Sequence, residues 1–107
     1  MNIKRVLRHW WQRRTRGFDD SETYSLDMTL AQHILPRLKR FKELNFGMPG
    51  EFQTLEEWEL ILDSMIEAFE LSANQFERDM FFLTDEEKLN LQIGLNNFAK
   101  YYRNLWW

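Results

Sequence analysis

Helix-breaking residues are almost absent from this chain, and that limits what it can fold into. Two prolines and four glycines punctuate 107 residues, and three of the six sit together in Gly47-Met48-Pro49-Gly50. Elsewhere apolar residues recur at helical spacing, β-branched residues are few and no strand-like alternation persists. The pattern predicts an all-α fold: a single domain over 1–107 with about four helices, antiparallel where the turns are short. Hydrophobic residues at 44% and aromatics at 16% supply a core and argue against wholesale disorder.

Four segments carry the helical period. From Asn2 to about Thr15, Ile3, Val6, Leu7, Trp10, Trp11 and Arg14 line one side, and Lys4, Arg5, Arg8, His9, Gln12 and Arg13 fill the other. Gly17 is placed to end this helix. Its simplest reading docks the Trp side on the body and leaves a solvated basic side. Membrane-surface attachment, a partner groove and anion binding are the functional alternatives. The second segment opens with Asp19 as cap and Glu22 three residues later. Its expected stripe is Tyr24, Met28, Ala31, Ile34, Leu35, Leu38 and Phe41, and Pro36 should kink or split it by removing the bond to the Gln32 carbonyl. Thr54-Leu55-Glu56-Glu57 and Thr84-Asp85-Glu86-Glu87 both read as capping boxes. Trp58, Ile61, Leu62, Met65, Phe69 and Ala73 follow the first box, with Phe76 and Met80 extending that side unless Ser72-Ala73-Asn74 breaks it. Leu91, Leu95, Phe98, Tyr102 and Leu105 follow the second, and Gly94 among them permits close helix packing.

The charge is split along the chain. Residues 1–42 hold ten basic and four acidic side chains, a net of +6, whereas residues 43–107 carry a net of −9. The halves can neutralise each other within one molecule, meet between molecules, or leave a basic surface for an anionic ligand. Overall acidity argues against non-specific duplex nucleic-acid binding while leaving room for a local phosphate site, and no sequence-specific duplex partner is expected. Every apolar run is short and interrupted by charge, so no membrane partner is expected. The N-terminus has no leader-like apolar stretch, which points to an intracellular, cytoplasmic setting.

Few residues suggest chemistry. The chain has no cysteine, so it has neither a thiolate metal site nor a thiol nucleophile. Glu56, Glu57, Glu59, Asp63, Glu67 and Glu70 form the densest acidic cluster, and carboxylates one turn apart can hold Mg²⁺ against a triphosphate. The two-motif pattern of all-helical nucleotide pyrophosphatases is incomplete here, so a solvated acidic side is expected, with no metal, no cofactor and no catalytic residue. His9 and His33 have no partner at metal-ligand spacing and are expected on the surface. Asp27 falls beside the apolar stripe and calls for a partner, with Arg14 and Arg16 nearest. Arg13, Arg16 and Arg37 are the candidate ligand-binding residues, because guanidinium forks match phosphate oxygens. Trp10, Trp11, Trp106 and Trp107 are too many aromatics for a small core, and they are the candidate oligomer interface.

The stretch Arg16-Gly17-Phe18-Asp19-Asp20-Ser21-Glu22-Thr23-Tyr24-Ser25-Leu26-Asp27, then Ile34-Leu35-Pro36-Arg37-Leu38, resembles a family of small uncharacterised tailed-bacteriophage proteins. The Gly-Pro turn and the acidic Glu56-Glu57-Trp58 helix continue the likeness, which covers about residues 14–70. The resemblance implies a phage origin and the cytoplasm of an infected bacterium; it implies no active residue. With the absence of catalytic motifs, the expectation is a non-enzymatic accessory protein that binds and neutralises a host factor. Its ligand would be an anionic nucleotide-type immune signal, and it would act as a homo-oligomer. Direct binding to a host protein, a helical Mg²⁺-dependent nucleotide hydrolase and a virion or packaging component are the alternatives.

Overall fold

The computed structural model describes residues 2–45, 47–74 and 83–106. Four helices account for most of them: α1 (Ile3–Arg16), α2 (Leu26–Leu44), α3 (Leu55–Ala73) and α4 (Asp85–Tyr101). Short 3-10 turns, Asp20–Thr23 and Tyr102–Asn104, precede α2 and follow α4. The described residues contain no strand. The shape is elongated, 56 × 34 × 19 Å.

Helix α3 is the spine. It is apolar enough to be covered on two sides, and α2 and α4 both pack along it. Trp58, Leu62, Met65 and Ala68 are essentially inaccessible, and Ala31 and Leu38 of α2 and Tyr101 of α4 close the same core. Side chains of this size stabilise the fold by about 1.5–3 kcal/mol each when fully buried. Aromatic rings tie the end of α4 to the start of α3. Trp58 meets Tyr101 edge-on at 5.5 Å, and Phe52 lies 5.8 Å from Trp58 and 5.5 Å from Tyr101.

Polar contacts fix the antiparallel register. Between α2 and α3, Gln32 donates to the Ala73 carbonyl (3.3 Å), Lys39 meets Glu70 (3.1 Å) and Lys42 meets Asp63 (2.6 Å). The first of these gives a partner to a carbonyl that the helix end leaves without one. Between α3 and α4, Asn90 donates to Glu67 (3.1 Å) and Asn97 to Ser64 (2.8 Å).

Helix ends follow the sequence closely. Gly17 ends α1 with φ +83°, and its N–H donates to the Arg13 carbonyl at 2.9 Å. At Thr84 both halves of the capping box form, each at 3.1 Å. At Thr54 only half forms: its hydroxyl accepts from Glu57 N–H at 3.2 Å, while the Glu57 carboxylate reaches one residue further back, to Gln53 N–H. Helix α3 ends at Asn74, and Phe76 and Met80 lie outside the described residues.

Helix α2 carries Pro36 inside it and runs from Leu26 to Leu44 without splitting, and beside the proline the Arg37 guanidinium donates to the His33 carbonyl at 2.8 Å. Three expectations need correction. Tyr24 is 92% exposed, because the chain there has just left a 3-10 turn and is out of phase with the stripe. In α4 the buried positions are Gly94 and Tyr101, so Leu95 and Tyr102 face outward. Helix α1 does not dock its Trp side: none of its residues is buried, and it packs chiefly against the Asp20–Thr23 turn.

Candidate functional site

The distinctive feature is how α1 is held. Asp19, directly after the Gly17 turn, has a fully buried side chain. One carboxylate oxygen accepts from the Arg13 guanidinium; the other accepts from the Ser21 hydroxyl and, at 2.8 Å, from Ser21 N–H. His9 Nδ1 stands 4.0 Å away. The Asp19 N–H donates to Glu22 at 2.6 Å, completing a capping box on the turn. The Ser21 hydroxyl bond, with help from Arg13, outweighs desolvation and holds the Asp19 carboxyl at about 2.

Asp20 grips the same side of α1. Gln12 bonds it twice, donating to the carboxylate and accepting from its backbone N–H, both at 2.7 Å. Arg16 donates to the other carboxylate oxygen at 2.6 Å, and Arg8 lies 3.9 Å away. These bonds, Gln12 first and Arg16 second, lower the Asp20 carboxyl below its ordinary range. Arg16 also stacks on Phe18, 4.4 Å from the ring centre.

Residues 8, 9, 12, 13 and 16 share one side of an α-helix, and that is the side held by Asp19 and Asp20. Ile3, Val6, Leu7 and Trp10 share the opposite side. The consequence is an inverted helix: its polar side faces its own chain and its apolar side faces water. Trp10 is 54% and Trp11 60% exposed, their rings 6.4 Å apart, and Arg14 lies 5.5 Å from the Trp10 ring. Full burial of each such apolar side chain would stabilise by about 1.5–3 kcal/mol, and the monomer does not realise this.

This arrangement relocates several expected residues. The buried carboxylate beside an arginine is Asp19 with Arg13; Asp27, the position expected from the stripe, is exposed. His9 is not a free surface histidine but is mostly covered beside Asp19. Arg13 and Arg16 meet at the Gly17 turn, each holding one carboxylate, while Arg37 bonds to α2's own backbone. Arg37 sits eleven residues into α2, about 16 Å along a helix axis. Trp106 is exposed at the rim of a cleft of about 340 Å³ lined by Asn45, Met48, Pro49, Trp58 and Asn104, and Trp107 lies outside the described residues. The acidic cluster of α3 is spread among partners, with Asp63, Glu67 and Glu70 bonded to α2 or α4. Among the described residues no three His, Asp or Glu side chains gather to hold a metal ion, and no helix is long and apolar enough to cross a membrane.

In sequence, Asp19 reads as a helix cap. The signal for more was the Asp19-x-Ser21 spacing, which lets one carboxylate take both the N–H and the hydroxyl two residues on. No family model, no curated protein and no solved structure matches the chain.

Proposed function

We propose that this chain is a non-enzymatic accessory protein that binds and neutralises a host protein, with α1 as the capturing element. The observation that carries the reading is the inverted mounting of α1. Asp19 and Asp20 hold its polar side, so the row Ile3, Val6, Leu7 and Trp10 is presented to a partner, with Lys4, Arg5 and Arg14 around it. An apolar row with aromatic and arginine members suits the centre of a protein interface, and flanking positive charge suits an acidic partner. The resemblance to small phage proteins supplies the setting, a host factor in an infected bacterium.

A protein target is favoured over a nucleotide for a specific reason. Arg13 and Arg16 already hold carboxylates, so a phosphate there would share each guanidinium with Asp19 or Asp20 and meet the repulsion of its charge. The test is capture from lysate of the host bacterium by immobilised wild type, Leu7→Glu, Arg13→Glu and Arg37→Glu proteins. A stoichiometric host protein retained by wild type and lost with Leu7→Glu supports the reading. A copurifying nucleotide, lost with Arg13→Glu or Arg37→Glu but kept with Leu7→Glu, would replace it with sequestration of an anionic signal.

A further inference from the structure

A second exposed apolar surface on the molecule carries charge opposite to that of α1. Along the outer seam of α3 and α4, Asn90 and Asn97 reach across to Glu67 and Ser64. Ile93 falls between the two asparagines on the same helical row, and Leu89 lies one turn before it. On α3, Leu60 stands one turn before Ser64. All three apolar side chains are exposed. Exposed acids flank them, Glu56 on α3 and Glu86 on α4, and Glu67 of the same row accepts from Asn90.

The two surfaces are opposite in charge. Lys4, Arg5 and Arg14 flank the apolar row of α1 and are not among the residues that hold Asp19 and Asp20, whereas the exposed apolar residues of the seam have the exposed Glu56 and Glu86 beside them. The lengths also agree, 14 residues for α1 and 17 for α4, about 21 and 25 Å. Within one molecule they do not cover each other, since both are exposed and α1 is tied to the turn before α2. We infer that α1 of one copy lies on the α3–α4 seam of a second copy, and that the exchange is reciprocal. Reciprocity closes the pair about a two-fold axis and makes the contact twice, where a one-way contact would propagate into chains. Charge favours this occupant over an anionic lipid surface, because the net −9 of residues 43–107 attracts α1 and is repelled by such a membrane. The inference rests on the reading of α1 as the binding element; the host target and the second copy would then compete for it.

Complementation between two variants tests it. Leu7 and Ile93 are both exposed, so Leu7→Glu and Ile93→Lys should keep the helical circular dichroism and unfolding midpoint of wild type. Sedimentation should give a wild-type dimer that weakens with salt, and a monomer for each variant alone. Mixing the variants should restore a dimer, weaker than wild type, because the intact α1 of Ile93→Lys meets the intact seam of Leu7→Glu. A monomeric wild type overturns the inference, and does so conclusively if that monomer binds vesicles containing phosphatidylserine. Dissociation by Leu7→Glu but not by Ile93→Lys, or a mixture that stays monomeric, also overturns it. Open chains that lengthen with concentration overturn the reciprocal closure. Host-protein capture is read separately, so a monomeric wild type that still captures its target leaves the proposed function standing.

Discussion

Gly94 lies against Ser64 so closely that a Cβ on it would fall 2.2 Å from the Ser64 carbonyl oxygen and 2.4 Å from the Ala68 Cβ. The carbonyl is helix backbone and cannot swing aside, so α3 and α4 would have to separate. Gly94→Ala is therefore expected to destabilise by about 1–3 kcal/mol, although alanine favours an isolated helix by about 1 kcal/mol. Urea unfolding should give a lower midpoint. A midpoint equal to or above wild type would mean the helices cross with room to spare.

The attachment of α1 should loosen in acid. Asp19 titrates at about 2 in the folded chain against an ordinary 3.8, and Asp20 is lowered as well. A depressed carboxyl contributes its stability above the unfolded value and loses it as pH falls through the folded one. The contribution should thus be full above about pH 4 and disappear toward about pH 2. Hydrogen exchange of the α1 amides, followed down this range, should accelerate in wild type. In Asp19→Asn the exchange should already be fast at neutral pH and show a smaller acid step.

Trp58 of α3 and Trp10 of α1 should respond differently to substitution. Trp58 is 1% exposed and central to the aromatic cluster, so Trp58→Ala should cost about 3–5 kcal/mol. Trp10→Ser removes an exposed ring and should change stability by no more than about 0.5 kcal/mol, while it weakens partner capture. Thermal unfolding paired with the capture assay separates the two effects.

The Lys42–Asp63 bridge is expected to matter little. Both side chains are partly exposed, 33% and 49%, despite the 2.6 Å separation. Lys42→Met should cost no more than about 1 kcal/mol, and less in high salt. Asp63 raises the Lys42 ammonium above its ordinary 10.5, so this contribution is present at neutral pH and is lost only as pH rises beyond that value.

The helix count and the caps at Thr84 and Gly17 were legible because each depends on chemistry within a few residues, and the close approach at Gly94 was legible from a glycine placed inside a helical apolar pattern. The phase of α4 was not. Its buried row centres on Gly94, and a glycine adds nothing to an apolar pattern, so the pattern pointed instead to Leu95 and Tyr102. Tyr24 was misplaced because the 3-10 turn before it has a different period. For α1 the sequence defined two sides but not their orientation. The same periodicity serves a docked helix and a displayed one, and the choice was made by Asp19 and Asp20, outside the helix itself.

Among the described residues the side-chain anchors on α1 lie between Arg8 and Arg16, beyond its first turn. The helix is thus a cantilever with its root at Gly17 and its tip at Ile3, about 21 Å away. A load applied at the tip is felt as torque at the root, where the backbone sits at φ +83°. A tilt of about 10° there moves Ile3 by about 4 Å over that length. The aim of the whole recognition surface is therefore set at this root, by the Gly17 turn together with the Asp19 and Asp20 anchors, and Gly17→Ala, strained at that φ, would misdirect contacts it never touches.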